Sequence, residues 1–149
     1  MKATYTRVLG RRIIGRLEPE TDLIASLTRR CRLDRVAAAS VSIRGSVRSF
    51  TVGCFDPAQK VFVTQAHVHS MEIVACRGLF TESPTGGFFH AHILLADSQG
   101  AVTAGRLFPE TIVYAAEFDL QELLGPPLER RYDVCSGQMH LHLNAPLPT

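Results

Sequence analysis

The sequence predicts an α+β fold in which a mainly antiparallel β-sheet is flanked by one or a few helices. Segments in which apolar residues alternate with polar ones outnumber segments of helical periodicity by several to one. Short stretches rich in Gly, Pro, Asp and Ser separate these segments, and such turns connect antiparallel neighbours. A length of 149 residues fits one domain, which we expect to span residues 1–149 with a core at about residues 7–143.

The first helix is expected after an irregular strand region. Residues 5–17 alternate unevenly and predict one or two short strands that break near Gly10 and Gly15. Pro19 fits the first turn of a helix and Asp22 fits its positive end, because proline and acidic residues are favoured there. The apolar face of this helix is expected to contain Leu23, Ile24, Leu27 and Cys31.

Seven further segments carry the alternation, or the β-branched and aromatic residues, that are typical of strands. Residues 82–87 consist mostly of Pro, Gly, Ser and Thr and predict a loop, whereas residues 128–134 have a mixed pattern. The predicted strands are residues 35–55, 61–64, 70–76, 88–95, 101–107, 112–120 and 138–143.

The chain is organised around a predicted β-hairpin that carries two histidines. Residues 88–95 are apolar apart from His90 and His92. Because successive side chains of a strand point to opposite faces, the two imidazoles share one face. Two histidines placed in this way have a spacing that a metal ion can use.

The register of this hairpin decides which residues lie opposite the histidines. A five-residue loop that ends at a left-handed Gly100 would place His90 opposite Arg106 and His92 opposite Ala104. A loop shorter by one residue would send Arg106 to the other face. Any argument about a site on this hairpin therefore depends on the loop.

Composition and cysteine usage narrow the class of protein. Hydrophobic residues make up 46% of the chain and charged residues 20%, as in ordinary globular proteins. The first residues lack the apolar run of a signal peptide and no apolar stretch reaches membrane-spanning length, so we expect a cytoplasmic protein without a membrane partner. The four cysteines form no Cys-x-x-Cys pair, which suits reduced thiols better than disulfides or a zinc knuckle.

The charge of the chain is small but unevenly distributed. Residues 1–50 contain eleven Lys and Arg against four acids, a balance of +7, and residues 51–149 contain five against ten, a balance of −5. Such asymmetry can indicate a nucleic-acid or other anionic partner. The alternative is that the arginines end a helix and occupy solvent-facing strand positions.

Several short motifs agree in order and spacing with those of one known family. They are Met71-Glu72-Ile73-Val74 followed by Gly78, His90-x-His92, Leu95-Ala-Asp97, Gly100, Gly105, Arg131-x-Asp133 and Ser136-Gly137. With these motifs the chain resembles the plants-and-prokaryotes conserved domain, or PPC domain, of the stand-alone prokaryotic type. The resemblance covers roughly residues 7–143.

The resemblance implies an α+β fold of the acetolactate-decarboxylase-like group and a homotrimer. In plants the domain follows AT-hook motifs in nuclear DNA-binding proteins and mediates association, whereas the role of bacterial and archaeal members is poorly defined. An assembly or regulatory module with DNA association is therefore the first expectation. The sequence has no Arg-Gly-Arg-Pro core, with which an AT-hook enters the minor groove.

His90 and His92 are the candidate metal ligands. The family's usual Gly-Gly-His after the hairpin turn stands here as Ala104-Gly105-Arg106, so the third expected histidine is an arginine. A zinc or other divalent site normally has three protein ligands, and Arg106 would repel the ion. The missing ligand could come from His140, His142, Glu72 or Glu110.

Two alternatives to the assembly module follow from these residues. One is a metal-dependent enzyme in which the metal polarises a substrate carbonyl, and the sequence leaves open whether the protein is an enzyme. The other is the binding of a small carboxylate or phosphate by Arg106 beside the two imidazoles. The remaining pairs, His67/His69 and His140/His142, are expected to be exposed or interfacial strand histidines.

Overall fold

The computed structural model describes residues 4–143, which form nine β-strands and one α-helix. The strands are mostly antiparallel, so the expected α+β fold is confirmed. None of the helical structure in these residues is long and apolar enough to cross a membrane. The elements are β1 Val8–Leu17, α1 Leu23–Leu33, β2 Ala39–Asp56, β3 Val61–His67, β4 Met71–Ser83, β5 Gly86–Ala96, β6 Val102–Leu107, β7 Ile112–Leu124, β8 Glu129–Asp133 and β9 Gln138–His142.

All nine strands belong to one sheet, and β2 is its central strand. β2 is 18 residues long and pairs antiparallel with β3, β4, β6 and β7. Because β5 pairs with both β4 and β6, the strands β2, β4, β5 and β6 close a ring of pairings. β1 extends the sheet beyond β7, and the β8–β9 hairpin joins β4 through the parallel pair Glu82–Glu129.

β2 has an irregular backbone at Gly45, where it lies between β4 and β7. The backbone there has φ 128°, and the register with β4 shifts between Ile43 and Gly45. Gly45 is also opposite Ala116 of β7, and a Cβ atom at Gly45 would lie 2.1 Å from the Ala115 carbonyl oxygen. Only glycine allows both the positive φ and this close approach.

Helix α1 packs on the sheet and begins later than the sequence suggested. Asp22 is its N-cap, and the Asp22 carboxylate accepts a hydrogen bond from the Ala25 N–H at 2.8 Å. Pro19 therefore lies before the helix and not in its first turn, because Asp22 also forms a β-bridge with Ile112 at the start of β7. The buried face consists of Leu23, Leu27 and Cys31, as expected.

All four cysteines are free, and two of them lie in the core. Burial raises the pKa of the Cys31 and Cys76 thiols to about 12. Both thiols are therefore protonated at neutral pH and act as small apolar side chains.

Two further expectations about strands are corrected. Residues 5–17 do not form broken strands, because β1 is continuous apart from a register shift between Leu9 and Arg12. The loop expected at residues 82–87 is only a tight turn between β4 and β5, in which the Ser83 hydroxyl donates to the Gly86 carbonyl at 2.7 Å. Residues 82–87 do contain residue types that favour turns. Pairing between β4 and β5 nevertheless extends both strands into this segment and leaves only a short turn.

The uneven charge of the sequence is offset in part by ion pairs between its two parts. Arg11 forms an ion pair with Glu122 at 2.8 Å and Arg12 with Asp119 at 2.6 Å, so that β1 is tied to β7 by charge as well as by its ladder. Hydrogen bonds from these arginines hold the pKa of both carboxyls below their usual values. Part of the basic first third is therefore paired with acids of the same molecule, although the paired arginines stay exposed at the surface.

Candidate anion-binding site

The candidate site lies on the outer face of strand β5. Residues Phe89, Ala91, Ile93 and Leu95 are buried in the core, whereas Phe88, His90 and His92 point the other way. The two imidazoles share a face, as the alternation predicted, and their ring centroids are 5.4 Å apart. His90 is half-buried, and His92 is exposed.

The register of the hairpin differs from the one the sequence suggested. Arg106 lies opposite His92, not His90, and Ala104 lies opposite Leu94. The Asp97 carboxylate causes the difference because it accepts hydrogen bonds from backbone N–H groups of the loop and closes it. The loop therefore begins and ends one residue later than expected. Since both ends move together, Arg106 stays on the face of the histidines.

Arg106 is held by aromatic rings. Its guanidinium carbon lies 4.6 Å from the centroid of Phe62 on β3, 5.4 Å from that of Phe108 and 5.5 Å from that of Phe88. At these distances a guanidinium is attracted to the ring faces. Because the rings cover its faces, the N–H groups at its edge are left for a hydrogen-bonding partner.

A second arginine, Arg130, reaches the same place from the β8–β9 hairpin. Its side chain is 8% exposed and its guanidinium carbon lies 5.7 Å from the centroid of Phe88. The Arg130 Nη1 group donates to the Met139 carbonyl within the hairpin at 3.4 Å. Sequence reasoning missed Arg130, although the unusual Glu-Arg-Arg run at residues 129–131 was a visible signal.

These cationic side chains carry unused hydrogen-bonding groups. His90 Nδ1, Arg106 Nε and Arg130 Nε are buried and have no hydrogen-bond partner. Within residues 4–143 the ion pairs involve other arginines, and neither Arg106 nor Arg130 takes part in one. The cluster is therefore positively charged, partly withdrawn from water and not neutralised by the part of the chain that the structure describes.

The surroundings of His90 keep its imidazole neutral. Burial lowers the pKa of His90 to about 4, and the positive charges of Arg106 and Arg130 act in the same direction. Burial also lowers the pKa of both arginines, which nevertheless remain charged at neutral pH. The site thus presents two fixed cations and a neutral ring.

Among residues 4–143 none of the candidate third ligands completes a metal-binding group with the two histidines; the candidates were His140, His142, Glu72 and Glu110. Glu72 is exposed and lies opposite Ala96, and Glu110 is exposed in the β6–β7 connection. No group of three or more His, Cys, Asp and Glu side chains among residues 4–143 is arranged to hold a metal ion. The residues present at His90 and His92 therefore do not fit a divalent cation well, since their closest charged neighbours are arginines.

Of the other two histidine pairs, His67/His69 lies on a different part of the sheet, whereas His140/His142 belongs to the hairpin that reaches the cluster. His67 is stacked on Phe50 with the ring centroids 4.7 Å apart, and His69 contacts the same ring edge-on. His140 of β9 accepts or donates a hydrogen bond with the Ser136 hydroxyl at 2.8 Å. His140 is near enough to His90 to affect its charge, whereas His142 is exposed opposite Glu129.

The fold and this cluster define the class of protein: a mainly antiparallel α+β protein with a cationic side-chain cluster on the outer face of its sheet. The chain belongs to the family of the Plants and Prokaryotes Conserved domain, whose model matches residues 6–124. This is the family indicated by the sequence motifs, and the predicted membership is confirmed. The match contains His90, His92 and Arg106 but ends before β8, so Arg130 lies outside it.

Solved structures from other organisms share this fold. A metal-containing protein from Archaeoglobus fulgidus has a TM-score of 0.90 and 28% identity, covering 96% of this chain and 100% of that chain. A plant- and prokaryote-conserved protein from Pyrococcus horikoshii has a TM-score of 0.88 and 25% identity, covering 97% and 99%. A candidate DNA-binding protein from Bacteroides thetaiotaomicron, with a TM-score of 0.80, 19% identity and coverage of 91% and 96%, shares the fold alone.

One curated protein is also similar in sequence. The bifunctional protein GlmU of a Synechococcus species is 31% identical over 130 residues, which are 86% of this chain and 20% of that protein. The chain therefore spans about a fifth of the length of this relative.

Proposed function

We propose that this protein binds a small anion, a carboxylate or a phosphate, at the cluster formed by His90, Arg106 and Arg130. The proposal is carried by one observation: a partly buried arginine, Arg106, and a buried one, Arg130, lie beside the same phenyl ring, and neither has a carboxylate partner among residues 4–143. Withdrawing a charge from water is costly unless it is paired. A bound anion is the partner that would offset this cost.

The side chains of the cluster have separate tasks in this proposal. The guanidinium of Arg106 offers a rigid fork of donors that matches two oxygens of a carboxylate or phosphate. The Phe62 and Phe108 rings fix the orientation of that fork. Neutral His90 donates one N–H and requires no counter-charge of its own. Such a site suits a small-molecule sensor better than a site that must bind a cation.

The anion proposal is tested by calorimetric titration with inorganic phosphate at pH 8. We expect Arg106→Gln to weaken phosphate binding by about 10- to 100-fold, because a hydrogen bond to a charged group contributes about 1.5–3 kcal/mol. Arg29→Gln, on the exposed side of α1, is the matched control and should leave the affinity unchanged. Equal phosphate affinity in the wild type and in Arg106→Gln would contradict the proposal.

For the molecule as a whole we propose a homotrimeric assembly or regulatory module, as the family resemblance implies. Association with DNA is part of this proposal and is supported by the candidate DNA-binding protein that shares the fold. Several basic residues on or near α1 have no acidic partner within residues 4–143, namely Arg16, Arg29, Arg32 and Arg35. A trimer would present three copies of this basic group together.

Sedimentation and DNA titration test this second proposal together. We expect a mass of three chains, and duplex binding that falls steeply between about 50 and 200 mM salt because phosphate contacts release counterions. Arg29→Gln/Arg32→Gln should weaken the binding, whereas Arg106→Gln should not. A trimer that does not bind duplex DNA at low salt would remove DNA from the proposal and leave the assembly role.

A metal-dependent enzyme that uses His90 and His92 is the competing proposal. It is supported by the metal-containing protein from Archaeoglobus fulgidus, which is 28% identical to this chain. A metal bound there would supply a Lewis acid for a substrate carbonyl. The two nearby arginines disfavour this proposal, because they would repel a metal ion. Substitution of Arg106 distinguishes the metal site from the anion site.

A further inference from the structure

We infer that the anion at this site is doubly charged, bridges Arg106 and Arg130, and clamps the β8–β9 hairpin onto the sheet. The inference rests on the proposed anion binding. It adds the charge of the ligand and an opening movement of the β8–β9 hairpin. It depends on the elements that carry the two arginines. Arg106 lies on β6, within the ring of paired strands, whereas Arg130 lies on β8, in the β8–β9 hairpin.

The hairpin is attached to the rest of the sheet through a narrow base. The described ladder between β8 and β4 contains one pair, Glu82–Glu129, and one backbone hydrogen bond, from the Glu82 N–H to the Leu128 carbonyl at 3.2 Å. Beyond this base Tyr132 and Val134 are 61% and 75% exposed. An element with so few bonds to its neighbours opens more readily than the core strands.

Beyond that base the hairpin has two contacts with the rest of the described molecule that bear on the clamp: its turn at Gly137 lies against Lys60 between β2 and β3, and the side chain of Arg130 reaches β5. The Arg130 side chain is 8% exposed and lies over the ring of Phe88, which belongs to β5. Burial lowers the pKa of Arg130, and the charge of Arg106 acts in the same direction, because the two cations beside Phe88 repel each other. The repulsion acts across the junction between hairpin and sheet, so it favours the open hairpin until an anion neutralises it.

The two guanidiniums also indicate the charge of the ligand. A singly charged anion would neutralise one arginine and leave the other buried without a partner. A doubly charged anion, such as phosphate or a short dicarboxylate, provides an acceptor for each. Thr81, opposite Phe88 on β4, adds a fully buried hydroxyl that has no hydrogen-bond partner.

Hydrogen exchange of the hairpin amides tests the clamp. We expect saturating inorganic phosphate at pH 8 to slow exchange in residues 129–142 of the wild type, by up to about 100-fold at 100 times the dissociation constant. Chloride at the same ionic strength should not slow it. Succinate should act like phosphate, whereas acetate should bind about tenfold more weakly or worse, because it satisfies one arginine.

Two neighbouring arginines provide the matched variants. Arg130→Gln should abolish the protection and weaken phosphate binding. Arg131→Gln should change neither, since Arg131 is exposed and paired with Glu129 at 3.2 Å. Unchanged phosphate affinity in Arg130→Gln would overturn the clamp and reduce the proposed anion site to His90 and Arg106. Unprotected hairpin amides in the saturated wild type would overturn the clamp and leave the proposed anion site intact. Absence of binding by phosphate and succinate in the wild type would overturn the anion site itself, and the clamp with it.

Discussion

Gly45→Ala is expected to destabilise the protein by about 2–5 kcal/mol, the largest loss we expect from any single added methyl group. The methyl carbon would lie 2.1 Å from the Ala115 carbonyl oxygen and 2.7 Å from Ala116 Cα, which are backbone atoms and not flexible side chains. Overpacking of this kind costs about 1–3 kcal/mol, and a positive φ adds about 1–2 kcal/mol for a residue with a Cβ. The cost is high because β2 must pair with β4 and β7 at this point.

Gly86→Ala is the matched control for Gly45→Ala. Gly86 also has a positive φ, 113°, but a Cβ atom there would meet nothing within 4 Å. Its substitution therefore measures the backbone strain without the clash, and we expect a loss of about 1–2 kcal/mol. The free energy of unfolding of both variants is measured by urea denaturation. Equal losses would show that the close approach at Gly45 contributes nothing, and that the strands move apart without cost.

The alternation of residues 88–95 was enough to predict which side chains face the core, because period-two patterning is a local property. The register of the same hairpin was not predictable to the residue. It depends on the hydrogen bonds that the Asp97 carboxylate makes within the loop, and either end of the loop was plausible from composition. The error did not change which side chains share the face of the candidate site. Both ends of the loop moved by one residue, so Arg106 stayed on the same face as His90 and His92.

Long-range pairing accounts for what the sequence could not show. Nothing local indicates that β2 contacts four other strands, or that Glu82 and Glu129 are neighbours. Arg130 was missed for the same reason, since only this parallel pairing brings its hairpin beside Phe88. The arginines of the first 50 residues were open to two interpretations, and their pairing with acids of β7 supports the structural one for Arg11 and Arg12.

Arg106→His is expected to convert the cluster from an anion site into a metal site. In the family resemblance this position is a histidine, and here it lies opposite His92, whose ring centroid is 5.4 Å from that of His90. The substitution supplies a third imidazole and removes a permanent cation. At an effective dielectric constant of about 20, the repulsion between that cation and a divalent ion a few ångströms away is several kcal/mol. We therefore expect zinc affinity to rise by at least about 100-fold while phosphate affinity falls.

Elemental analysis of the purified protein and titration with zinc measure this conversion. Arg106→Gln separates the two contributions, because it removes the charge without adding a ligand, and it should gain less zinc affinity than Arg106→His. Adding His90→Ala and His92→Ala to Arg106→His should abolish the gain. If the wild type already holds stoichiometric zinc that His90→Ala/His92→Ala loses, the arginines do not exclude a cation and the metal-dependent enzyme becomes the better proposal. Retention of phosphate binding in that zinc-loaded protein would then mean that the anion is bound beside the metal.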